Sequence, residues 1–363
     1  MSKIISIATK VPEYKYEQQC LYNFADKIYS QDAVESRKLR FLYNFSGIEN
    51  RYSVLPDFNL AQNKRLMFSD SEDLEPHPTL EKRMEIFKTS AANLACEAIE
   101  TCIINKIPIE KITHLITVSC TGMSAPGIDL QIIEKLKLPR ETIRLSVNFM
   151  GCYAAVHGLK IADAFCKADK DANVIVVCTE LCTIHFQKEI TPDNITSSLL
   201  FGDGCAAVLV NNSNEIGINL DSFYSEISQD GEKDMAWQLS GSGFLMTLSG
   251  YVPELINQDF KKICTRALNK TSKQIENVTH WCIHPGGKKI IEAIEKSLSK
   301  SKEDFKYSYE VLKDYGNMSS PTILFVLEKI FNELKEKNNE QALIFAAAFG
   351  PGLTTETFTA SYD

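Results

Sequence analysis

A cysteine, a histidine and an asparagine stand where predicted secondary-structure elements end, and their side chains can do chemistry together. Cys152 follows a predicted strand, Ile143–Val147, and opens a predicted helix, Tyr153–Ala168. The first N–H groups of a helix have no partner within the helix, and the helix dipole is positive there, so this position favours a thiolate. Cys152 is therefore interpreted either as a nucleophile or as one more buried, inert thiol.

The other two candidates lie in the second half of the chain. His284 ends the predicted strand Val278–Ile283 and precedes Pro-Gly-Gly, at the kind of strand end whose loops build sites in α/β proteins. Asn317 stands between a glycine and a methionine, just before a predicted helix. Taken singly, the histidine is equally well explained as a structural core residue and the asparagine as a turn residue.

Together, the three side chains fit one reaction. A thiolate held by a neighbouring imidazolium can take an acyl group from a thioester. A neutral histidine and an asparagine amide can both donate hydrogen bonds to one carbonyl oxygen, which stabilises the enolate left when a malonyl group loses carbon dioxide. That carbanion can attack the acyl-cysteine. The set therefore predicts a decarboxylative Claisen condensation.

The order of predicted elements indicates an α/β protein. The chain has 363 residues, and its strands and helices alternate in two successive halves, 1–214 and 215–363. Apolar runs such as Asn173–Glu180 predict strands buried on both faces in a mostly parallel sheet. The polar, turn-rich stretch Ile48–Pro78 predicts a surface excursion, and His185–Ile195 predicts a loop.

Composition excludes several functions. The net charge of −8 argues against non-specific nucleic-acid binding, and no run of about 18 apolar residues predicts a membrane span. The N-terminus lacks signal-peptide features, which predicts an intracellular, cytoplasmic protein. The eleven cysteines include no Cys-x-x-Cys pair, and the group Cys178, Cys182 and His185 lacks a nearby fourth ligand, so we predict no metal site.

Five motifs carry a resemblance to a known family: Gly-Cys-Tyr-Ala-Ala, Leu-Phe-Gly-Asp-Gly, His-Pro-Gly-Gly, Tyr-Gly-Asn-Met-Ser-Ser and Phe-Gly-Pro-Gly-Leu-Thr-Thr-Glu. They resemble those of the type III polyketide synthases, the chalcone and stilbene synthase family of the thiolase-like superfamily. The resemblance covers nearly the whole chain. It implies a thiolase-like fold of two similar halves in αβαβα layers. It also implies an acyltransferase that extends an acyl-CoA starter with malonyl-CoA and needs no cofactor.

The resemblance also implies roles for individual residues. Cys152 resembles the acyl-carrying nucleophile, and His284 and Asn317 resemble the decarboxylation and oxyanion pair. Phe201 matches an aromatic gatekeeper between the coenzyme A tunnel and the cavity. Met246 falls where a second gatekeeping phenylalanine usually stands, which is a departure from the family pattern.

The family is typically a homodimer, and one loop is expected to reach the partner's cavity. That loop reads Ala125-Pro126-Gly127 here, and the resemblance implies a cis Ala125–Pro126 bond, since an X–Pro bond is where the cis form costs least. Ser319 matches a small residue near the catalytic cysteine.

Four positions are expected to line the cavity and to set the starter. They are Thr121, Ala125, Cys182 and His185. Ala125 replaces a bulkier methionine and Cys182 replaces a threonine, and added apolar volume holds an alkyl chain at about 0.8 kcal/mol per methylene. The first three resemble microbial members that take fatty acyl starters, whereas the larger His185 would reshape the cavity. We predict a fatty acyl starter extended two or three times to an alkylpyrone or alkylresorcinol.

Coenzyme A binding departs from the family pattern. Lys38 matches the first of three basic residues, but Phe41 and Phe45 stand at the other two positions. Arginines nearby are candidate substitutes, with a solvated basic helix face as the alternative. Backbone N–H groups, or delivery of the starter by an acyl carrier protein, are further alternatives. The candidate phosphate-binding residues are Arg37, Lys38, Arg40, Gly286 and Gly287.

Other functions of the same fold stay open at this point. A ketoacyl-ACP synthase III-like enzyme would perform one condensation only. A non-catalytic partner subunit would not need the intact cysteine, histidine and asparagine. A thiolase would need a second catalytic cysteine, and a hydroxymethylglutaryl-CoA synthase would need a carboxylate base that we could not identify.

Overall fold

The computed structural model describes residues 2–59, 65–71, 73–228, 231, 233–337 and 341–363. Within these ranges no helix is both long enough and apolar enough to cross a membrane. The strands are β1 Lys3–Lys10, β2 Tyr14–Glu17, β3 Asn50–Ser53, β4 His114–Ser119, β5 Ile143–Asn148, β6 Asn173–Leu181, β7 Asp203–Asn211, β8 Ile218–Ile227, β9 Met235–Ser240, β10 Gly243–Leu248, β11 His280–Ile283, β12 Leu343–Gly350 and β13 Thr354–Tyr362. The helices are α1 Gln18–Tyr29, α2 Ala33–Phe45, α3 Leu80–Ile103, α4 Ile128–Leu136, α5 Ala154–Ala168, α6 Pro192–Leu200, α7 Val252–Asn269, α8 Lys288–Leu298, α9 Lys306–Tyr315 and α10 Thr322–Lys337.

The main sheet is mixed, so the prediction of a mostly parallel sheet is wrong. Its order is β11-β12-β13-β8-β1-β7-β6-β4-β5. Only β4 with β5, β4 with β6, and β11 with β12 pair in parallel among the described strands. The physical reason is clearest at β12 and β13, which only a short 3-10 turn, Pro351–Leu353, connects. Such a connection is too short for a parallel crossover and forces an antiparallel pair.

The strands and helices form the expected α/β layers. Successive residues of a strand face opposite sides, so Leu115 of β4 packs in one hydrophobic core and Ile116 packs in the other. One core contains α5 and α10 between strands of both halves. The other core contains α3, α7 and α8 on the outer faces. The predicted thiolase-like arrangement of two halves in layers is thus confirmed.

Two local predictions are wrong, because neither a helix start nor the burial of a side chain follows from local polarity alone. The predicted loop His185–Ile195 includes the start of α6, where Thr191 accepts a hydrogen bond from the Asn194 N–H. In the predicted surface excursion Ile48–Pro78, Phe58 and Phe68 are buried in an aromatic cluster with α1. Positions 60–64 and 72 of that excursion lie outside the described residues.

The two halves pack closely beside Cys152, where a ring of each half lies against a glycine of the other. Gly151 has φ +78°, and a Cβ there would lie 2.2 Å from Cδ of Pro351. A Cβ at Gly350 would lie 2.6 Å from the ring of Tyr153. Distances below 3 Å leave no room for a side chain, so glycine at both positions lets the second half reach the turn that carries the cysteine.

We expect Gly151→Ala to destabilise the protein because the added methyl group meets Pro351 at a backbone conformation that favours glycine. The loss should be about 2 kcal/mol or more, measured as a lower midpoint in urea unfolding. Gly241→Ala is the matched control, since nothing lies within 4 Å of a Cβ there. Equal midpoints for the two variants would contradict the proposed close contact.

Candidate active site

Cys152 lies in the strand-to-helix turn that the sequence predicted. β5 ends at Asn148, a 3-10 turn covers Gly151–Tyr153, and α5 starts at Ala154. Cys152 remains partly accessible and lines a cavity of about 400 Å³, here called the cysteine pocket. The residues lining the cysteine pocket are Cys120, Thr121, Gly151, Cys152, Cys182, Phe201, Met235, Ala236, Trp237, Met246, Ser319 and Pro351.

Backbone pairing holds Asn317 against the first half of the chain. Asn317 N–H donates to Leu200 O at 2.9 Å, and Gly202 N–H donates to Asn317 O at 3.0 Å. Its side-chain orientation is fixed as well, because Nδ2 donates to Gly286 O at 3.2 Å and Oδ1 accepts from Ser319 N–H at 2.8 Å. One amide N–H of Asn317 remains to donate elsewhere.

His284 lies beside the same loop with both ring nitrogens unused. It directly follows β11, and its N–H donates to Ala347 O at 2.9 Å. Gly286 packs on the imidazole, since a Cβ there would lie 3.6 Å from Cδ2 of His284. The ring is buried, and neither nitrogen has a hydrogen-bond partner within the described part of the chain. Gly286 therefore connects the two candidate donors, His284 and Asn317.

The electrostatics correct one expectation. The pKa of Cys152 is raised to about 11, mainly by burial and also by the charge of Glu180. Hydrogen bonds with Ser319 and Asn317 act in the opposite direction and offset part of this rise. Burial also lowers the pKa of His284 to about 3. The neutral thiol and the neutral imidazole are thus favoured, and the expected thiolate held by an imidazolium is wrong for the unliganded chain. Desolvation outweighs the dipole of α5, which contributes about 1 kcal/mol.

A buried carboxylate near the cysteine was missed by the sequence reasoning. Glu180, at the end of β6, accepts hydrogen bonds from five donors and pairs with no cation among the described residues. Burial raises its pKa. A glutamate inside an apolar strand was the signal that could have identified it. The donors are Ser119 Oγ, Cys120 N, Cys120 Sγ, Thr121 Oγ1 and Ser320 Oγ, at 3.3, 2.9, 3.1, 2.7 and 2.5 Å.

A second cavity adjoins the cysteine pocket. It spans about 700 Å³ of space between atoms, open solvent included, and reaches towards α1, α2 and α6; we call it the inner cavity. The two cavities share Cys182, Phe201, Trp237 and Met246. Met246 stands opposite Trp237 in the β9–β10 hairpin. The two predicted gatekeepers, Phe201 and Met246, thus lie where one cavity meets the other, although their gating role stays a prediction.

His185 forms a fixed wall of the inner cavity. Its Nε2 lies 2.8 Å from Thr121 O, and its Nδ1 accepts from Phe244 N–H at 3.1 Å. Its ring stacks on Phe244 at 4.3 Å, and burial lowers its pKa to about 3. Both ring nitrogens of His185 therefore pair with backbone atoms. The imidazole fills space in the cavity wall and has no nitrogen free to accept a proton.

The predicted cavity position Ala125 lies elsewhere. Its loop turns outward, so Ala125 is exposed and lines neither of these cavities of its own chain. It lines a separate groove beside the edge strand β5, together with Met123 and Arg144. The Ala125–Pro126 bond is cis, as expected. An outward loop suits the predicted contact with a second copy, which stays a prediction.

The candidate coenzyme A residues lie on α2 and at the start of α8. Arg37 Nε donates to Ala33 O at 3.1 Å and Arg40 Nε to Tyr22 Oη at 3.3 Å, both within or beside α2. Lys38 is exposed on the same helix. At the two family positions lacking basic residues, the rings of Phe41 and Phe45 contact each other at a tilt of 34°, with centroids 4.3 Å apart, and are each 60% exposed. The last two candidates, Gly286 and Gly287, directly precede α8, whose first residue, Lys288, lies against Gly47 just after α2.

The described residues contain no candidate metal site. Within the described ranges, histidine, cysteine and acidic side chains form no group of three that could hold a metal ion. The prediction that no cofactor is needed stays a prediction, since the substrates implied by the resemblance are coenzyme A thioesters.

This fold with its three candidate side chains defines an acyltransferase of the thiolase-like class. The family models described as chalcone and stilbene synthases match residues 1–214 with the N-terminal domain and residues 219–361 with the C-terminal domain. The chain therefore belongs to the chalcone and stilbene synthases, the type III polyketide synthases. The match favours this family over the single-condensation alternative.

Individual relatives agree with the family match. Type III polyketide synthase A of Arabidopsis thaliana is 31% identical over 335 residues, covering 90% of this chain and 83% of that protein. The alpha-pyrone synthesis polyketide synthase-like Pks18 of Mycobacterium tuberculosis is 32% identical over 286 residues, covering 77% and 72%. The crystal structure of PKS-I from the brown alga Ectocarpus siliculosus has a TM-score of 0.94 at 26% identity, covering 100% of this chain and 98% of that one.

We expect His284→Ala to slow alkylation of Cys152 by iodoacetamide at least about tenfold at neutral pH, because a histidine is the expected acceptor of the thiol proton and both ring nitrogens of His284 are without a partner within the described residues. In the wild type and in the variant, the rate should rise with pH towards the Cys152 pKa of about 11, since the thiolate fraction grows with pH below that value, and the variant should stay slower at neutral pH. Mass spectrometry of the Cys152 peptide follows the rate.

His280→Ala is the control, because it removes a histidine from the other end of the same strand. Its pH profile should match that of the wild type. If His284→Ala also gives the wild-type profile, His284 does not accept the thiol proton.

Proposed function

We propose that the chain loads a fatty acyl group onto Cys152, extends it with two or three malonyl units and closes the product to an alkylpyrone or alkylresorcinol. One observation supports this proposal: the cysteine pocket shares Cys182, Phe201 and Met246 with an inner cavity whose walls are largely apolar. An acyl chain bound there would be stabilised by about 0.8 kcal/mol for each buried methylene.

Loading begins with transfer of the Cys152 thiol proton to His284. The sulfur then attacks the thioester carbonyl of the acyl-CoA, and coenzyme A leaves as its thiol after taking up that proton. The imidazole returns to its neutral form, which its lowered pKa favours. The acyl group is now held as a thioester on Cys152, with its alkyl chain in the inner cavity.

Extension uses the two donors from the second half of the chain. Neutral His284 and the remaining amide N–H of Asn317 donate to the thioester oxygen of malonyl-CoA. Carbon dioxide leaves, and the electron pair passes to the enolate that these donors stabilise. The enolate carbon attacks the acyl-Cys152 carbonyl, which breaks the C–S bond and restores the cysteine. The longer chain, now on coenzyme A, is reloaded for the next round.

The name of one relative supports a pyrone product, but no relative's name indicates the starter. Pks18 carries the name of an alpha-pyrone synthesis polyketide synthase-like protein, which agrees with a pyrone product here. Cys182 and Thr121 line the cysteine pocket as the predicted starter-setting positions. Ala125 does not line either cavity of its own chain. The proposed length of the acyl starter therefore rests on the inner cavity alone.

We expect saturated acyl-CoAs of medium to long chain to give the highest kcat/KM in a series from acetyl-CoA to palmitoyl-CoA with malonyl-CoA. Liquid chromatography with mass spectrometry should show cyclised triketides or tetraketides, and Cys152→Ala should give none. Activity confined to aromatic starters would contradict the fatty acyl proposal. A single β-keto product would instead favour the one-condensation enzyme.

Filling the inner cavity should shorten the preferred starter. Ala25 of α1 is buried and lines that cavity, so Ala25→Leu should shift the best starter by about two or three methylenes, the volume that the substitution adds. Ala33→Leu is the matched control, because Ala33 is exposed at the start of α2. An unchanged chain-length profile in Ala25→Leu would place the alkyl chain outside the inner cavity.

A further inference from the structure

Helix α2 presents an apolar stripe to solvent on the side that faces away from the core. The buried residues of α2 are Leu39 and Tyr43. Val34, Phe41 and Phe45 follow one another at intervals of seven and four residues, which on a helix of about 3.6 residues per turn places them on one stripe opposite that buried pair. All three are exposed. The usual amphipathic arrangement, in which the solvent side of a helix is polar, is therefore reversed here.

This stripe and one neighbouring leucine form a surface that we call the α2 face, defined as Val34, Phe41, Leu42 and Phe45. The rings of Phe41 and Phe45 lie at its centre, with centroids 4.3 Å apart. Val34 and Leu42 are 48% and 45% exposed, and each phenylalanine is 60% exposed. A single exposed apolar side chain is ordinary on a protein surface, whereas four on one short helix indicate a site of interaction.

Basic side chains accompany the α2 face and are free to pair with negative charge. Arg37, Lys38 and Arg40 are exposed, and none of them forms an ion pair with a carboxylate in the described part of the chain. By helical spacing, Lys38 lies one turn from both Val34 and Leu42, and the two arginines lie along one edge of the face. The whole chain carries a net charge of −8, so this concentration of positive charge is local.

The charge of the α2 face selects among its possible occupants. A second copy of this chain, docked through the same face, would bring three positive side chains against three others, which is unfavourable. An anionic surface would instead pair with all of them. The negative charge of the occupant therefore follows from the three basic residues, and its apolar character follows from the two phenylalanines.

The α2 face lies close to the candidate active site. On the opposite side of the helix, Tyr43 lines the inner cavity. Gly47, just beyond the end of α2, meets the side chain of Lys288, since a Cβ there would lie 3.3 Å from Cδ of that lysine. Lys288 in turn begins α8, directly after the two glycines that follow His284 and Pro285. A partner on the α2 face is thus separated from the inner cavity by the width of one helix.

We propose that the α2 face docks the protein on a membrane surface that contains anionic lipids. The phenylalanine rings enter the boundary between headgroups and acyl chains, and the arginines and the lysine extend to the lipid phosphates. This inference goes beyond the proposed function and rests on it in one respect. Fatty acyl starters and alkylated products partition into membranes, so docking brings the enzyme to its substrates and its product to a lipid phase.

An acidic acyl carrier protein is the alternative occupant, and the size of the surface favours lipid. A specific protein interface buries about 1,200–2,000 Å² in total, and α2 offers the exposed side of only 13 residues. A helix that lies in the membrane interface needs only its own apolar stripe with basic residues beside it. The observed pattern meets this smaller requirement.

The test measures binding of the purified protein to lipid vesicles by sedimentation. Vesicles of phosphatidylcholine with about a third phosphatidylglycerol should bind the protein at least about tenfold more strongly than vesicles of phosphatidylcholine alone, because basic side chains are attracted to an anionic surface. Raising the salt concentration should weaken this binding, since salt screens the charges.

The variant arm uses the double substitution Phe41→Ser/Phe45→Ser. Affinity for the anionic vesicles should fall at least about tenfold, because two apolar rings no longer insert. Both rings are exposed, so the midpoint of urea unfolding should stay at the wild-type value. The matched control is Ile104→Ser/Ile227→Ser, which removes apolar side chains that are 66% and 69% exposed at the ends of α3 and β8. It should bind vesicles like the wild type.

Each other outcome contradicts the membrane proposal or the proposed function separately. Failure of the wild type to bind anionic vesicles, or equal binding by the double phenylalanine variant, would overturn membrane docking. Binding of an acyl carrier protein that the phenylalanine variant loses, without any vesicle binding, would assign the α2 face to a protein. A changed oligomeric state of that variant in size-exclusion chromatography would assign it to a second copy. Absence of extended product from every starter would overturn the proposed polyketide synthesis and leave vesicle binding unaffected.

Discussion

The site depends on the close contact between the two halves of the chain beside Cys152. Pro351 of the second half lies where a side chain at Gly151 would be, and the Tyr153 ring lies where a side chain at Gly350 would be. Because both glycines lack a Cβ, the β12–β13 turn fixes the path of the chain just before α5. The direction of the cysteine is thus set by packing between halves and not by the local helix alone.

A similar contact places Asn317, the candidate catalytic asparagine. A Cβ at Gly316 would lie 2.7 Å from Leu200 O and 2.9 Å from the Arg51 side chain, so the segment before Asn317 can lie flat on the first half. Asn317 then forms an isolated backbone bridge with Phe201, which directly follows α6. Arg51, which lies against Gly316, also lines the inner cavity. Placement of the amide and the shape of the starter cavity are therefore coupled through one side chain.

Local signals were enough to predict some of the site, and non-local burial explains the rest. The turn at Cys152 and the strand end at His284 were predictable, since glycine, strand and helix patterns are read over a few residues. The hydrogen-bond donors gathered around Glu180 were not, because they come from segments far apart in the chain, such as Thr121 and Ser320. The mixed sheet was missed for the same reason, as strand direction depends on connections.

The cysteine and the histidine of the site are favoured in their neutral forms before substrate arrives. Burial favours the neutral forms of Cys152 and His284, and it raises the pKa of Glu180. A pocket in this state loses little solvation energy when an apolar acyl chain enters. Charge then appears with the reaction, as the thiol gives up its proton and the malonyl carboxylate departs. Donors already fixed at Asn317 are most effective against that transient charge, because they need no reorganisation when it forms.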